Sequence, residues 1–125
     1  AASRGDADRV LGAMARGQWA ADVASLADVR AEVLLSEVLA YLAGQPRIRD
    51  PRLVSLADHD AEHGGILVPA VLAWLDAFGD VRAAARVLNI HPNTVRYRVR
   101  RATEVSGVDF DDPAQRILTQ LQLRL

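Results

Sequence analysis

Between Val81 and Thr103 the chain reads VRAAARVLNIHPNTVRYRVRRAT, and no other stretch restricts the possible folds as tightly. Val81 to Leu88 is Ala-rich and helix-favouring, with Asp80 placed as an N-cap beside Gly79. Asn89-Ile90-His91 breaks the helical pattern, and Pro92 falls where a first helical position accepts a residue without an N–H. From Asn93 the apolar positions are Val95, Val99 and Ala102, a helical i, i+4, i+7 set. Two short helices joined by a three-residue turn, the second one basic, predict a helix-turn-helix. Ala85 is expected at the close helix crossing and Ile90 as the apolar turn residue that pins both helices.

Charge singles out the same stretch. It holds Arg82, Arg86, Arg96, Arg98, Arg100 and Arg101 and no acidic residue, so it carries +6 while the remaining 102 positions sum to −7. The bulk values, a net charge of −1 and a pI near 6.3, conceal this asymmetry. A concentrated basic face on an acidic chain is the electrostatic footprint of a polyanion-binding surface. All fifteen basic residues are Arg, so every cationic contact is a planar, fork-shaped donor.

At 125 residues the chain is one domain, or a domain with a helical arm, and it can bury a core without staples. It has no cysteine, which excludes disulfides and thiolate metal sites and fits a cytoplasmic location. No apolar run is long enough to span a membrane, and no signal peptide opens the sequence. Position 1 is Ala rather than Met, as expected of a fragment of a longer protein.

Helix signals recur along the whole chain. Asp6 can cap a short helix from Ala7 to Arg16, stopped by Gly17, with Trp19 and Val23 anchoring the link that follows. Ser25 starts the longest predicted helix, Leu26 to Ala43, which is apolar around most of its circumference. Such a helix must be covered on nearly all sides. Either it is the central helix of the domain, or one face meets a second protomer. Asp50-Pro51 opens a helix running to about His63, with Leu53, Leu56 and Ala57 inward. Ile66 to Phe78 is the next, carrying Leu67, Val71, Leu72, Trp74, Leu75 and Phe78, with Pro69 tolerated in its first turn. After Ser106-Gly107 and the apolar connector Val108-Asp109-Phe110, Asp112-Pro113 starts a last helix to about Leu123. Its apolar residues are Ile117, Leu118, Leu121 and Leu125, with Arg116, Gln120 and Arg124 on the wet side. The predicted fold is all-α with about seven helices: a linker or dimerisation region over 1–59 and a helix-turn-helix domain over 60–125.

On a wheel through Val95, the opposite face carries Asn93, Arg96, Tyr97, Arg100 and Arg101. Asn pairs bidentately with adenine and Arg with guanine, while Thr94 and Tyr97 can reach phosphates or a thymine methyl. The free N–H groups from His91 to Thr94 favour a nearby phosphate. Arg98 lies nearer the buried side, which suits a phosphate or intramolecular role. Arg82 and Arg86, on the bracing helix, reach only the backbone. A solvated surface helix would mix charge signs at i±4, which this one does not.

Other chemistries are less well supported. His59 and His63 stand at i, i+4, a spacing that can hold zinc, but they lack the HExxH order and have no third ligand beyond His91. Histidines at a helix C-terminus facing the dipole are the simpler account. No Gly-rich elbow surrounds Ser25, Ser36, Ser55 or Ser106, and no phosphate loop is present. Neither enzymatic activity, nor a metal, nor a cofactor is expected.

The run GDVRAAARVLNIHPNTVRYRVRRATEVSGVDFDDP resembles the C-terminal helix-turn-helix of PucR/CdaR-type bacterial transcriptional regulators. The likeness is carried by Gly79, Asp80, Ala84, Ala85, His91, Asn93, Thr94, Val95, Tyr97, Arg98, Val99, Arg101, Gly107, Asp112 and Pro113. It is specific from about Asp60 to Leu125 and weaker over residues 1–59, which resemble the linker helices of such regulators. The core is also loosely similar to the Fis-type motif. The resemblance implies a DNA-binding output domain, dimeric or larger, with an upstream sensory or GGDEF-like domain outside this chain. The expected partners are therefore double-stranded DNA and a second copy of the chain. The competing expectations are a module whose basic helix docks on an acidic protein, or non-specific architectural DNA binding.

Overall fold

The computed structural model describes residues 19–125, with side chains from Ser25 onward. Six helices are described: α1 (Trp19–Ala43), α2 (Pro51–Glu62), α3 (Leu67–Asp76), α4 (Val81–Leu88), α5 (Pro92–Ser106) and α6 (Pro113–Gln122). No strand occurs among the described residues, so the fold is all-α as predicted. The helix expected from Ala7 to Arg16 lies outside them. The long helix is already helical at Trp19, six residues before its expected start at Ser25. The stretch read as an anchored link is therefore part of α1.

The chain forms two compact units that meet between Gly44 and Gln45. A division at 59/60 would cut through α2, which belongs to the second unit. In the first unit, α1 leaves Leu34, Leu35, Val38 and Tyr41 exposed. The second unit builds its own core from α2 to α6.

Asp50, in extended conformation, caps α2 by accepting from the Arg52 N–H at 2.9 Å, and Pro51 follows at the first helical position. The inward face of α2 is Leu53, Leu56 and Asp60, while Ala57, expected inside, is exposed. Asp60 takes the inward place because it has a polar task there. The cap position of α3, Ile66, has no side-chain acceptor. The Asp60 carboxylate supplies one from a helix away, accepting from Leu67 N–H at 2.8 Å and Val68 N–H at 2.9 Å. A buried carboxylate is tolerable when matched donors meet it, and the positive end of α3 adds to the match.

Leu67, Val71 and Leu75 of α3 join Leu53 and Leu56, Ala102 of α5, and Val108 and Phe110 of the connector in one cluster. α3 ends at Asp76, before the expected Phe78. Gly79 N–H then closes onto Trp74 C=O at 2.9 Å, a left-handed helix stop in which Phe78 and Gly79 both have positive φ. The stop turns Phe78 outward, leaving it 92 % exposed rather than in the core.

The buried face of α6 follows its apolar residues only in part: Leu118 packs against the core and Leu121 is half-buried. Ile117 and Leu125 are exposed, while Thr119 and Gln122 are buried. Both polar groups are satisfied. Thr119 Oγ1 donates to Gln115 C=O at 2.6 Å. Gln122 accepts from Asp50 N–H at 2.7 Å and donates to Asp50 C=O at 3.0 Å, clasping the start of α2 to the end of α6. Arg124 reaches Asp76 and so ties α6 to the end of α3.

Candidate nucleic-acid interface

The interface begins with two caps and a crossing. Asp80 accepts from the Arg82 and Ala83 N–H groups at 3.0 and 3.1 Å, fixing the first turn of α4. Ala84 and Ala85 are buried against Val95 of α5, with Ile90, Leu88 and Val99 packed around them. The small residue expected at the crossing is thus Ala85 with its neighbour Ala84. Asn89 turns the chain in the left-handed region at φ 55°, a conformation Asn accepts at lower cost than most residues. Ile90 N–H then bonds Ala85 C=O at 3.1 Å, which locks the turn onto α4.

His91 proves to be the cap of α5. Its Nδ1 accepts from Asn93 N–H at 3.0 Å, so the ring is held with Nδ1 bare and Nε2 carrying the proton. That role leaves His91 exposed at the mouth of the turn. Pro92 occupies the first helical position, and Gly107 at φ 74° ends the helix. Between these ends Val95 and Ala102 are buried and Val99 is half-buried. One narrow apolar stripe therefore holds α5 and leaves the opposite face exposed.

Asn93, Arg96, Tyr97, Arg100 and Arg101 are exposed together on that free surface, with Thr94 and Arg98 half-buried beside it. Local bonds order the face. Arg96 donates to Asn93 Oδ1 at 2.7 Å. Bidentate pairing with adenine would use that same oxygen, so Asn93 and Arg96 would exchange this bond for base contacts. The Arg100 guanidinium lies over the Tyr97 ring, 5.8 Å from its centroid. Arg101 pairs with Glu104 at 3.3 Å. The acidic partner missing between Val81 and Thr103 thus stands one position beyond, at i+3, where a survey confined to the segment misses it. Both residues are exposed, so the pair adds little stability and exchanges readily for a phosphate.

Arg82 and Arg86 are exposed on α4. With Asn89, His91 and Pro92 they line an open concavity of about 560 Å³ at the helix-turn-helix junction. The structure therefore brings the bracing arginines and the cap histidine to one place. Elsewhere, the His59 and His63 rings stack with centroids 4.0 Å apart, and His63 Nδ1–H donates to His59 C=O at 2.7 Å. Among the described residues no group of three or more His, Cys, Asp or Glu could hold a metal ion, and no helix is long and apolar enough to cross a membrane.

Two short helices crossing over paired alanines, with a basic second helix exposed along most of its length, define a helix-turn-helix unit. Residues 67–125 match the PucR C-terminal helix-turn-helix domain. An uncharacterized protein of Mycobacterium tuberculosis is 45% identical over 53 residues, covering 42% of this chain and 13% of that protein. A Mycobacterium bovis protein matches to the same extent. The DNA-binding transcriptional activator AdeR of Bacillus subtilis is 29% identical over 73 residues, covering 58% of this chain and 17% of AdeR. The chain thus spans less than a fifth of the length of these relatives. No solved structure matches.

Proposed function

We propose that this chain contains the sequence-specific DNA-binding output domain of a bacterial transcriptional regulator, with α5 entering the major groove. One observation carries the reading: the face of α5 opposite Val95 and Ala102 exposes Asn93, Arg96, Tyr97, Arg100 and Arg101 together. Arg96, Arg100 and Asn93 are the base readers, since their planar donor and acceptor pairs match guanine and adenine edges. Thr94, Tyr97, Arg98 and Arg101 bind phosphate or sugar along the groove walls. Arg82, Arg86 and His91 hold the adjoining backbone, His91 through its Nε2–H.

The kinship with a transcriptional activator supports this reading. So does the length of the relatives, which leaves room for the sensory parts a regulator needs. The functional form is a homodimer, in which two copies of α5 read two half-sites. The partly uncovered apolar surface of α1 (Leu34, Leu35, Val38 and Tyr41) is the place where a second copy would add cover.

The test is a titration of promoter duplex at several salt concentrations, with and without excess unrelated duplex. If ~3–5 phosphates are neutralised per protomer, log K should fall against log salt with a slope of about −3 to −4.5 per protomer. The specific site should also survive competitor. A flat salt response would end the DNA reading, and equal displacement by any duplex would reduce it to architectural binding.

A further inference from the structure

Beside the proposed reading face, a cavity of about 300 Å³ lies between α5 and the connector that follows it. Trp74 of α3, Val81 of α4, Val99 of α5 and Phe110 of the connector give it an apolar lining. The charged groups around it come from two elements with opposite signs. Arg96 and Arg100 belong to α5, while Asp109 and Asp111 belong to the connector. No ion pair or hydrogen bond joins the side chains of the two arginines to those of the two aspartates. Arg96 turns instead to Asn93 and Arg100 to the Tyr97 ring. Asp109 Oδ1 accepts only the backbone N–H of Asp111, at 2.9 Å.

Two cations and two anions held around an apolar lining without neutralising one another are complementary to a guest carrying both charges. A simple carboxylic acid would suit the arginines but meet the aspartates as like charges, and a simple amine would do the reverse. We propose that this cavity binds a small zwitterion with an apolar body, of the α-amino acid class. Its carboxylate lies on Arg96 and Arg100, its ammonium on Asp109 and Asp111, and its side chain against Trp74 and Val99. The volume is at the lower end of the roughly 300–1,000 Å³ of small-molecule sites, which suits a guest of that size. If Arg96 and Arg100 also contact DNA, a consequence that rests on the function proposed above, guest and duplex compete for the same guanidinium groups. Each then weakens the other by the same factor.

The site is tested first without DNA, by following the amide NMR spectrum of the whole chain as L-tryptophan or L-leucine is added. Indole-3-propionate, which lacks the ammonium, and tryptamine, which lacks the carboxylate, serve as single-charge controls. The expected result is saturable shifts at Val99, Thr103, Asp109 and Phe110 with at least one amino acid, and affinities about tenfold weaker for both controls. Asp111→Asn, at an exposed position, should keep the native spectrum and weaken the amino acid by about fivefold or more while sparing indole-3-propionate. Absence of saturation by both amino acids up to about 10 mM, equal affinity for the controls, or indifference to Asp111→Asn would each overturn the site. A second titration with promoter duplex present should show the amino acid raising the apparent Kd of the duplex. A duplex that fails to bind at all would break the DNA reading and leave the ligand result standing.

Discussion

α1 and α5 invert the usual relation between a helix's composition and its surroundings. α1 is rich in Leu, Val and Ala, yet Leu34, Leu35, Val38 and Tyr41 are exposed. α5 carries four arginines, yet Val95 and Ala102 are fully buried and anchor it in the core. The difference lies in how the apolar residues are arranged. A narrow stripe at i, i+4 and i+7 can be covered by a few neighbouring helices, and α2, α3 and α4 supply that cover within the chain. Apolar residues spread around the circumference need cover from several directions, and among the described residues α1 leaves four large ones exposed. Hydrophobicity shows that a surface should be covered; only its geometry shows whether the chain can do so itself.

The largest expected loss is in the core. Leu56→Ala should cost about 2–5 kcal/mol in chemical denaturation of the Gln45–Leu125 unit, because Leu56 is fully buried. Leu35→Ala in α1 should leave the stability of that unit nearly unchanged and shift the sedimentation of the whole chain toward monomer. A large loss of stability from Leu35→Ala would erase the distinction between the two regions. Next in size is Asp60→Ala, which orphans the Leu67 and Val68 N–H groups and should cost about 1–3 kcal/mol in the same assay. A neutral result there would show that water caps α3 equally well.

On the exposed side of α5 the expected effect is on binding rather than folding. Arg96→Ala or Arg100→Ala should weaken the specific duplex by about 1–3 kcal/mol, read by fluorescence anisotropy, with the thermal midpoint unchanged. A matching loss of stability would mean that the arginines are structural. The smallest effect belongs to Asp50. The Arg52 guanidinium bonded to it holds its carboxyl below the usual carboxylate value, with burial opposing in part. A depressed folded pKa gives stability that is complete above the unfolded pKa of about 3.9 and is lost as pH falls through the lower folded value. Stability measured against pH should therefore lose this contribution only in strong acid, and Asp50→Asn should flatten that limb by removing the contribution at neutral pH while leaving strong acid little changed.

Much of the helix-turn-helix is legible residue by residue. Asp80, Pro92, Gly107, Asp112 and Pro113 act through their own backbone dihedrals and immediate neighbours, so their roles can be read locally. The stripe Val95, Val99, Ala102 likewise names its buried side by spacing alone. His91 is a partial case. Its position ahead of Pro92 marks a helix start, but that its Nδ1 serves as the cap depends on a side-chain rotamer the spacing does not give. Phe78 is a clearer failure. An apolar residue at the end of an apolar run reads as core, and only the left-handed stop at Phe78-Gly79 turns it away.

By itself the sequence determined the caps, the turn, the basic face and the all-helical class, because each depends on interactions within about one or two helical turns. The tertiary structure decided matters that depend on residues far apart in the chain. Asp60 lies inside because α3 lacks a cap of its own, and Gln122 lies inside because Asp50 offers it both a donor and an acceptor across 72 positions. It also decided that Arg96 and Arg100 share a cavity with Asp109 and Asp111, a placement that no helical period encodes. Backbone polar groups must find partners wherever the fold puts them, and that requirement overrode the hydrophobic pattern at Asp60 and Gln122.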